Sequence, residues 1–555
     1  MNRKHYIVQI ILALVTLVVV NVVGQYIYKR FDLTQDKRYT LTESTKQLVS
    51  NLDSPIIIDV FLEGNLSSDF RRLRSETRQL LEEFIQANKL IKVNYIDPLA
   101  DEDNKSRNIE ELTKSGLTPY ISSETTNSSV SKEMVFPWAF ASYQGNITKI
   151  PLLKKTLNTS LQEQVTNSIQ NLEYAFTDAF RKIGNSKEKR IAILRGNGQL
   201  NDLELADFIT SVKSYYNIAP FTLDSVANNP QRTLQQLNTF DLVISAKPTQ
   251  AFSEEEKLVL DQYTMQGGKS IWLTESIVID QDSLKNQSNS SVAVLRDLNL
   301  NDFFFKYGIR VNPVIVNDLY SAPIWLAMGE GSQAQFQPLR WPYSPLSASN
   351  SNHPITNNIE LVKFDFASQI DTLKNLAKKT VLLESSEQTK LQGVPKSISL
   401  DIVTQEPDLS TYNQGKQNLA VLIEGSLKSV YKNRIKPFEI ENFKDSCNDG
   451  QLIVISDGDV IKNDVIRNQP QELGFDRWTG NTLGNKEFLI NAVNYLLDDT
   501  GLMTVRSKEV AIAYLDSEKV SDEKGKWQFI NIALPLLLLL VFGFVFNSFR
   551  KRKYA

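Results

Sequence analysis

Two carboxylates follow the last strand that the sequence predicts. Asp457 and Asp459 flank Gly458 directly after the apolar run at residues 452–456. Ligands of α/β proteins bind at the carboxyl ends of parallel strands, and carboxylate oxygens there can hold a cation. Asp-Gly-Asp is also an ordinary turn sequence, and no third acidic residue lies close by in the sequence. The pattern therefore allows a ligand or partner contact or a plain turn, and it predicts no metal site.

A glycine-rich turn follows an earlier predicted strand. Gly196, Asn197 and Gly198 come after the strand at residues 191–194 and before a predicted helix, which is how phosphate-binding loops are placed. A dinucleotide fingerprint needs a third glycine where this chain has Asn201, and the sequence contains no complete Gly-x-x-x-x-Gly-Lys-Ser/Thr phosphate-loop motif. The turn is either a tight strand-to-helix connection or a contact for a small ligand or a partner main chain.

The remaining reactive side chains are too few for a recognisable catalytic centre. Cys447 is the single cysteine, which excludes an intrachain disulfide and any Cys-x-x-Cys site. The two histidines, His5 and His353, exclude a multi-histidine metal centre. Cys447 falls in a predicted loop that ends near residue 449, and no Gly-x-Ser/Cys-x-Gly nucleophile motif occurs. We expect a protein that is not an enzyme, with no catalytic residue and no cofactor.

Two apolar segments bracket about 500 polar residues. The segments at residues 6–28 and 529–546 are each long enough to cross a bilayer about 30 Å thick as a helix. Four basic residues at 550–553 predict a cytoplasmic C-terminus. A cleavable signal peptide is the alternative for the first segment, but no small-x-small site follows it. The expected topology is two-pass in a bacterial inner membrane, with both termini cytoplasmic and the bulk periplasmic.

The elements between the spans predict two α/β domains. The first has strands at residues 56–62 and 91–96, helices at 68–88 and 107–115, and a hairpin with arms at 132–143 and 146–152. This order is that of a thioredoxin-like domain, although no cysteine ends its first strand. A long amphipathic helix at residues 161–183 links it to the second domain.

The second domain alternates strands and helices, which predicts a parallel sheet. The apolar strand at residues 241–246 is expected to be buried on both faces, and Ser253 with Glu256 forms a capping box for the next helix. Residues 281–350 have little pattern and are expected to form a long excursion with local elements. Further strands are predicted at residues 379–384, 399–404, 419–424 and 452–456, and a last helix at 485–497 has Asn485 as its expected cap.

Motifs along nearly the whole chain resemble those of auxiliary proteins of ABC-type transport systems. Just beyond the first apolar segment, residues 38–45 read Arg-Tyr-Thr-Leu-Thr-Glu-Ser-Thr. The family often has histidine in the glycine turn, where this chain has Asn197. The other matching segments are residues 52–60, 196–199, 241–248, 252–269, 485–499 and 506–510.

The resemblance implies a non-catalytic, substrate-binding-type subunit that works with a multi-span permease and a cytoplasmic ATPase. It implies a second domain similar in fold to class I glutamine amidotransferases, and the two C-terminal motifs resemble the family's gliding-motility member. No catalytic residue is carried over. A periplasmic scaffold without transport is the alternative, and an amidotransferase-like hydrolase is disfavoured by the missing nucleophile.

The expected organisation assigns a role to each segment of the chain. Asn21, Asn531 and Pro535 are the polar or irregular positions of the two spans, and we expect them to face a partner helix. The expected boundaries are 1–30 for the first anchor, 31–155 for the thioredoxin-like domain, 156–186 for the linking helix, 187–515 for the amidotransferase-like domain with insertions, 527–549 for the second anchor and 550–555 for a basic tail.

Overall fold

The structure is a computed structural model that describes residues 10–19, 40–126, 129–157, 159–184, 187–329, 334–348, 353–499, 501–507 and 517–554. The chain divides into two compact units, Met1–Lys508 and Glu509–Ala555. The helices of the described residues are α1 Ile10–Val19, α2 Glu43–Ser50, α3 Ser68–Ala87, α4 Lys105–Lys114, α5 Leu161–Gly184, α6 Ala206–Lys213, α7 Pro230–Leu237, α8 Glu254–Met265, α9 Asn301–Tyr307, α10 Asn485–Leu497 and α11 Ser517–Tyr554.

The strands fall into several sheets and hairpins. Those before residue 280 are β1 Ile56–Val60, β2 Ile91–Tyr95, β3 Tyr120–Thr126, β4 Ser129–Val135, β5 Trp138–Tyr143, β6 Asn146–Pro151, β7 Arg190–Arg195, β8 Asn217–Thr222, β9 Leu242–Ala246, β10 Lys269–Leu273 and β11 Ile277–Val278. Those after it are β12 Ser290–Leu295, β13 Ile309–Asp318, β14 Ser321–Met328, β15 Gln335–Ser347, β16 Val362–Lys363, β17 Ser368–Thr372, β18 Lys378–Glu384, β19 Thr389–Gly393, β20 Lys396–Ser399, β21 Asn418–Lys428, β22 Ser446–Ile455, β23 Val465–Ile466, β24 Gln469–Pro470, β25 Phe475–Asp476 and β26 Asn481–Thr482.

The first sheet has the order β2-β1-β5-β6, with β1 parallel to β2 and antiparallel to β5. The predicted turn between β5 and β6 is confirmed: Gln144 and Gly145 both have positive φ, which two-residue hairpin turns favour. The predicted arm at residues 132–143 is wrong as one strand. It is interrupted at Pro137, which has no N–H for a ladder, and β4 pairs with β3 in a separate hairpin.

The largest sheet has the order β18-β21-β22-β10-β9-β7-β8. The five strands from β22 to β8 are parallel, as predicted, and β21 and β18 extend the sheet in antiparallel pairing. Apolar side chains cover both faces: α6 and α10 pack on one, and α7, α8 and α9 pack on the other. The expected burial of β9 on both faces is confirmed, since all five of its residues are buried.

The ends of two elements differ from expectation. The capping box of Ser253 and Glu256 is confirmed at the start of α8. Gly484, and not Asn485, caps α10; the Asn485 side chain instead bonds to the main chain of Lys363. Residues 400–404 form a 3-10 helix and not a strand, because the Ser399 hydroxyl accepts the Asp401 N–H at 3.1 Å.

Apart from α9 and β18, which belong to the large-sheet region, residues 277–415 form an insertion of β structure, and it includes residues 281–350, where the sequence shows little pattern. Its sheets have the orders β11-β12-β20, β17-β13-β19 and β14-β15-β16. Their common core includes Trp341, Tyr343 and Phe366. Just beyond the insertion, Cys447 lies within β22 opposite Leu427 and not in a loop, and burial raises the pKa of its thiol.

An ionic cluster joins the segment after β6 to the second α/β region. Glu487 of α10 accepts hydrogen bonds from Lys154 at 2.9 Å and from Arg506 at 3.0 Å. Arg506 also donates to the main-chain oxygen of Asn357 and lies 4.7 Å from the ring of Tyr174 in α5. Glu487 thus balances two cations contributed by segments far apart in the sequence.

The helix α11 carries the C-terminal apolar segment. Its residues 522–552 are long and apolar enough to cross a membrane, with Asn531 and Pro535 inside this stretch. Helix α1 is a shorter apolar helix of ten residues. The rest of the predicted first span, including Asn21, lies outside the described residues.

Replacing Glu487→Leu should destabilise the protein by about 2 kcal/mol, because Lys154 and Arg506 would lose their shared counter-charge in a partly buried site. Urea unfolding of the detergent-solubilised protein measures this. Glu472→Leu, which removes a more exposed carboxylate beside Lys486, is the control and should cost less than about 1 kcal/mol. Equal losses of unfolding free energy in the two variants would contradict a stabilising role of the Glu487 cluster.

Candidate functional site

Three neighbouring parallel strands deliver charged side chains to one edge of the large sheet. Lys247 directly follows β9, Glu275 lies two residues after β10, and Asp457 lies two residues after β22. The strands are adjacent in the order β22-β10-β9, so these loops must meet. The N–H of Lys247 donates to Leu273 and that of Thr274 to Ile455, which holds the three strand ends together.

The ammonium group of Lys247 lies at the centre of this cluster. Its Nζ is 2.6 Å from Asp459 Oδ1 and 3.0 Å from Glu275 Oε1. Arg296 approaches the other oxygen of Glu275 at 3.5 Å. The main chain of Lys247 is in the left-handed region at φ 53°, and Gly458 packs so closely on this lysine that a Cβ there would overlap its side chain. The local geometry is thus built around the position of Lys247.

Asp457 is fully buried beneath the cluster and holds two loops. Its Oδ1 accepts the N–H of Asp459 at 2.7 Å, which closes the Asp-Gly-Asp turn. Its Oδ2 accepts the N–H of Asp365 at 2.6 Å, which attaches the insertion to the sheet edge. Only Asp459 of the predicted pair reaches the cleft described below.

Burial dominates the electrostatics of the cluster. It raises the pKa of Glu275 to about 7, against the attraction of Lys247, and it raises the pKa of Asp457 well above its usual range. Burial would lower the pKa of Lys247, but the carboxylates of Glu275 and Asp459 outweigh this and raise it. The cluster is therefore most stable with Lys247 charged.

The three carboxylates suit a cation in composition but not in arrangement. Oxygens of Glu275, Asp457 and Asp459 all lie within 4.8 Å of one another. A hard metal ion would take such oxygens as ligands. The ammonium of Lys247 already bonds to two of the three residues, so the protein supplies the cation itself. These residues do not fit a resident metal ion.

A second ion pair extends the polar surface. Lys363 Nζ lies 2.8 Å from Asp365 Oδ2, and Asp365 Oδ1 accepts from the Ser344 hydroxyl and from Gln281 Nε2. Lys363, Asp365, Lys247 and Asp459 all line a cleft of about 900 Å³. The cleft therefore has a floor of paired charges.

Strand β14 and the segment at residues 462–478 form the walls of this cleft. The walls meet where Trp325 of β14 stacks on Trp478, with ring centroids 5.5 Å apart and planes 14° apart. Phe336 of β15 lies 4.7 Å from the same Trp478 ring, and Arg477 covers it at 4.7 Å. Aromatic contacts thus join the insertion to the segment between β25 and β26.

The glycine turn lies outside the residues that line the cleft. Gly196 and Gly198 have φ of 110° and 70°, which suits a tight turn. Asn197 is buried: its side chain donates to Glu256 at 3.0 Å, and its N–H donates to the Gln199 side chain at 2.9 Å. A phosphate would need free main-chain N–H groups, and the N–H of Asn197 is already used.

Two of the central residues, Lys247 and Glu275, were not selected by the sequence analysis. Both follow predicted parallel strands, so the rule that selected Asp457 and Asp459 applies to them equally. Lys363 and Asp365 carry no such signal. They reach the cleft only because the insertion folds back on the sheet edge.

Comparison with known proteins places this chain in a family. The family model described as an ABC-type uncharacterized transport system matches residues 188–492, more than half of the chain, and the chain belongs to this family. A domain of unknown function, DUF7088, matches residues 35–142. An uncharacterized protein of Borreliella burgdorferi is 22% identical over 534 residues, covering 94% of each chain.

Two solved structures show weak similarity. The mmIFT52 N-terminal domain is 13% identical with a TM-score of 0.31, covering 56% of this chain and 98% of that one. A ThuA-like protein from Parabacteroides merdae is 9% identical with a TM-score of 0.26, covering 56% of this chain and 91% of that one. These scores are too low to establish a common fold.

Replacing Lys247→Ala should destabilise the protein by about 3 kcal/mol, because Glu275, Asp457 and Asp459 would share a buried site without their central cation. Lys285→Ala removes a lysine from an exposed pair with Asp282 and should cost less than about 1 kcal/mol. Urea unfolding of both variants measures these changes. A loss of unfolding free energy for Lys247→Ala no larger than that for Lys285→Ala would be evidence against the cluster's stabilising role.

Glu275 should make stability fall as pH rises. Its pKa is about 7 in the folded protein against 4.5 ordinarily, so between these values the folded state binds more protons than the unfolded state. The stability of wild type relative to Glu275→Gln should therefore decline from about pH 4.5 to about pH 7. Paired unfolding curves across this range test it, and a flat difference would mean that the Glu275 pKa is not raised.

Proposed function

We propose that this chain is a non-catalytic, membrane-anchored auxiliary subunit of an ABC transporter complex. The observation that carries the proposal is the family match across residues 188–492, joined in the same chain to a helix long enough to span a membrane. The full-length similarity to an uncharacterized relative is consistent with one conserved architecture. The partners are a multi-span permease and a separate cytoplasmic ATPase.

The ATPase must be a different chain. The sequence has no complete Gly-x-x-x-x-Gly-Lys-Ser/Thr phosphate loop: before Gly268-Lys269-Ser270 the first glycine is replaced by Tyr263, and the segment enters strand β10 and not a helix. The turn at Gly196 uses its own polar groups internally. Energy from ATP would reach this subunit through contacts with the permease in the membrane. No step of the proposed role requires a catalytic residue or a cofactor on this chain.

The proposed topology is two-pass in a bacterial inner membrane, with both termini cytoplasmic and the bulk periplasmic. Basic residues 550–553 at the end of α11 support a cytoplasmic C-terminus. The strand order β2-β1-β5-β6 supports a thioredoxin-like first domain, and the five parallel strands support an amidotransferase-like second one. Gliding motility is the process we propose, on the sequence similarity of the C-terminal motifs.

The proposed contacts with the permease are polar or irregular positions in the spans. An exposed asparagine in hydrocarbon is costly unless it bonds to a partner helix, which favours a role for Asn531 and Asn21. Pro535 interrupts the hydrogen bonding of α11 and leaves a main-chain oxygen available for a neighbour. We also propose the glycine turn and the Asp-Gly-Asp turn as places of contact with a ligand or partner. The contact would be made by the surface around these residues: Gly196, Asn197, Gly198, Asp457 and Asp459.

Affinity purification of the tagged full-length protein from native membranes in mild detergent tests the proposal. We expect a permease and an ATPase in fixed ratio, identified by mass spectrometry. Recovery of the protein alone, or with envelope motility proteins and no permease, would instead favour a scaffold without transport.

The double variant Asn21→Leu/Asn531→Leu tests the membrane contacts in the same purification. Each lost interhelical hydrogen bond costs about 1 kcal/mol, so permease recovery should fall several-fold. Asn547→Leu makes the same change near the basic end of α11 and serves as the control. If the double variant recovers as much permease as Asn547→Leu, the two asparagines do not hold the complex together.

A further inference from the structure

Strand β14 presents an unpaired edge to the cleft. It is the terminal strand of the order β14-β15-β16, and within the described residues it pairs with β15 alone. Residues 322–327 all line the cleft, including side chains from both faces of the strand. When consecutive residues of a strand line one cavity, the strand faces that cavity with its edge. An unpaired edge is a template for another extended chain.

Two prolines identify the main-chain groups that are free. Trp325 lies opposite Pro338 of β15, and Pro323 lies opposite Arg340. A proline has no N–H to give to a partner strand, so these are the pairs without ladder hydrogen bonds. The N–H and C=O groups of Trp325 and Ala327, with the C=O of Pro323, therefore point away from β15. Among the described residues, these main-chain groups have no other hydrogen-bond partner.

The charges of the cleft favour a cationic occupant. Among the described residues that line it are eight acidic and five basic side chains. Four of the five cations are already paired with carboxylates of the cleft: Lys247, Lys285, Lys363 and Lys462. The fifth, Arg477, covers the Trp478 ring. The surplus is negative and includes the exposed Asp464, so phosphates and other anions are disfavoured.

Trp325 and Trp478 each cover one face of the other's ring, so those two faces are not open to a sugar. Trp325 and Trp478 stack on each other, and Arg477 and Phe336 occupy further contacts of Trp478. These rings instead hold the two walls together and provide apolar surface beside Ile324 and Leu326. An occupant with alternating apolar and cationic side chains matches both the walls and the charge of the cleft.

We propose that this cleft binds an extended segment of a partner polypeptide, which carries basic side chains and adds to the free edge of β14. The six residues 322–327 would pair with about 20 Å of extended chain. Main-chain hydrogen bonds supply part of the affinity, as in other β-strand additions, and the acidic surplus selects the sequence. The inference goes beyond the transporter role and does not depend on it.

The test uses full-length protein in detergent and defined peptides, with binding followed by fluorescence anisotropy. The probe is a fluorescein-labelled eight-residue peptide of alternating lysine and valine. One comparison peptide replaces lysine by glutamate, and another is N-methylated at every residue, which keeps the charges but removes the N–H donors. We expect saturable binding of the first peptide and at least tenfold weaker binding of both others.

Substitutions at β14 separate edge pairing from general attraction. Ala327→Pro removes one free N–H and should weaken binding about fivefold, the usual effect of one hydrogen bond. Ala327→Val keeps the N–H and should bind as wild type does. Asp464→Asn should weaken binding and reduce its salt dependence. The thermal midpoint of each variant verifies that the fold is intact.

Three results would overturn the inference. Equal binding of the N-methylated peptide would show that pairing with the edge is not involved. Equal losses from Ala327→Pro and Ala327→Val would place the peptide elsewhere on the surface. Tighter binding of the glutamate peptide would contradict the charge selection. Copurification of a permease and an ATPase is a separate result, so the transporter role and the peptide site can fail independently.

Discussion

The Lys247 ammonium, held among three carboxylates at the carboxyl edge of the large sheet, is the interaction on which this region depends. Charge is buried there at a cost that only pairing offsets. Lys247 follows β9, Glu275 follows β10, and Asp459 follows β22, so one cation fixes three strand ends relative to one another. Asp457 then extends the network to the insertion through the N–H of Asp365. The cluster thus has the composition of a metal site, but its ion pairs join the ends of three strands.

The insertion is also fixed in position by the Lys247 cluster, because Asp457 accepts the N–H of Asp365. Its strands form small sheets around a separate aromatic core, and its edge strand β14 becomes one wall of a cleft. The stack of Trp325 on Trp478 joins that wall to the segment between β25 and β26. The charged floor and the apolar walls therefore come from distant parts of the chain, and both are needed to define what can bind.

The chain belongs to a family of ABC-type transport systems, which sets the context for its architecture. In the role proposed above, this chain contributes surfaces and membrane anchors, and a separate chain hydrolyses ATP. The glycine turn illustrates the distinction. It occupies the position of a phosphate loop between β7 and α6, where the strand order reverses, yet Asn197 uses its polar groups on Glu256, Gln199 and the residues after β9. Position in the fold alone does not make a ligand site.

The sequence by itself determined the elements whose signals are local. Periodicity and apolar runs gave α5, the parallel strands and the helix α11, and a capping box marked the start of α8. It predicted an excursion at residues 281–350 but not its strands, since β12 to β16 are stabilised by distant partners, and it did not reveal that Cys447 lies in a strand. Of the site, Asp457 and Asp459 were found from their place after a strand. Only the tertiary structure decided that Lys247 pairs with Asp459 and Glu275 and that β14 faces the cleft. Strand order and the return of the insertion depend on packing between residues far apart in sequence.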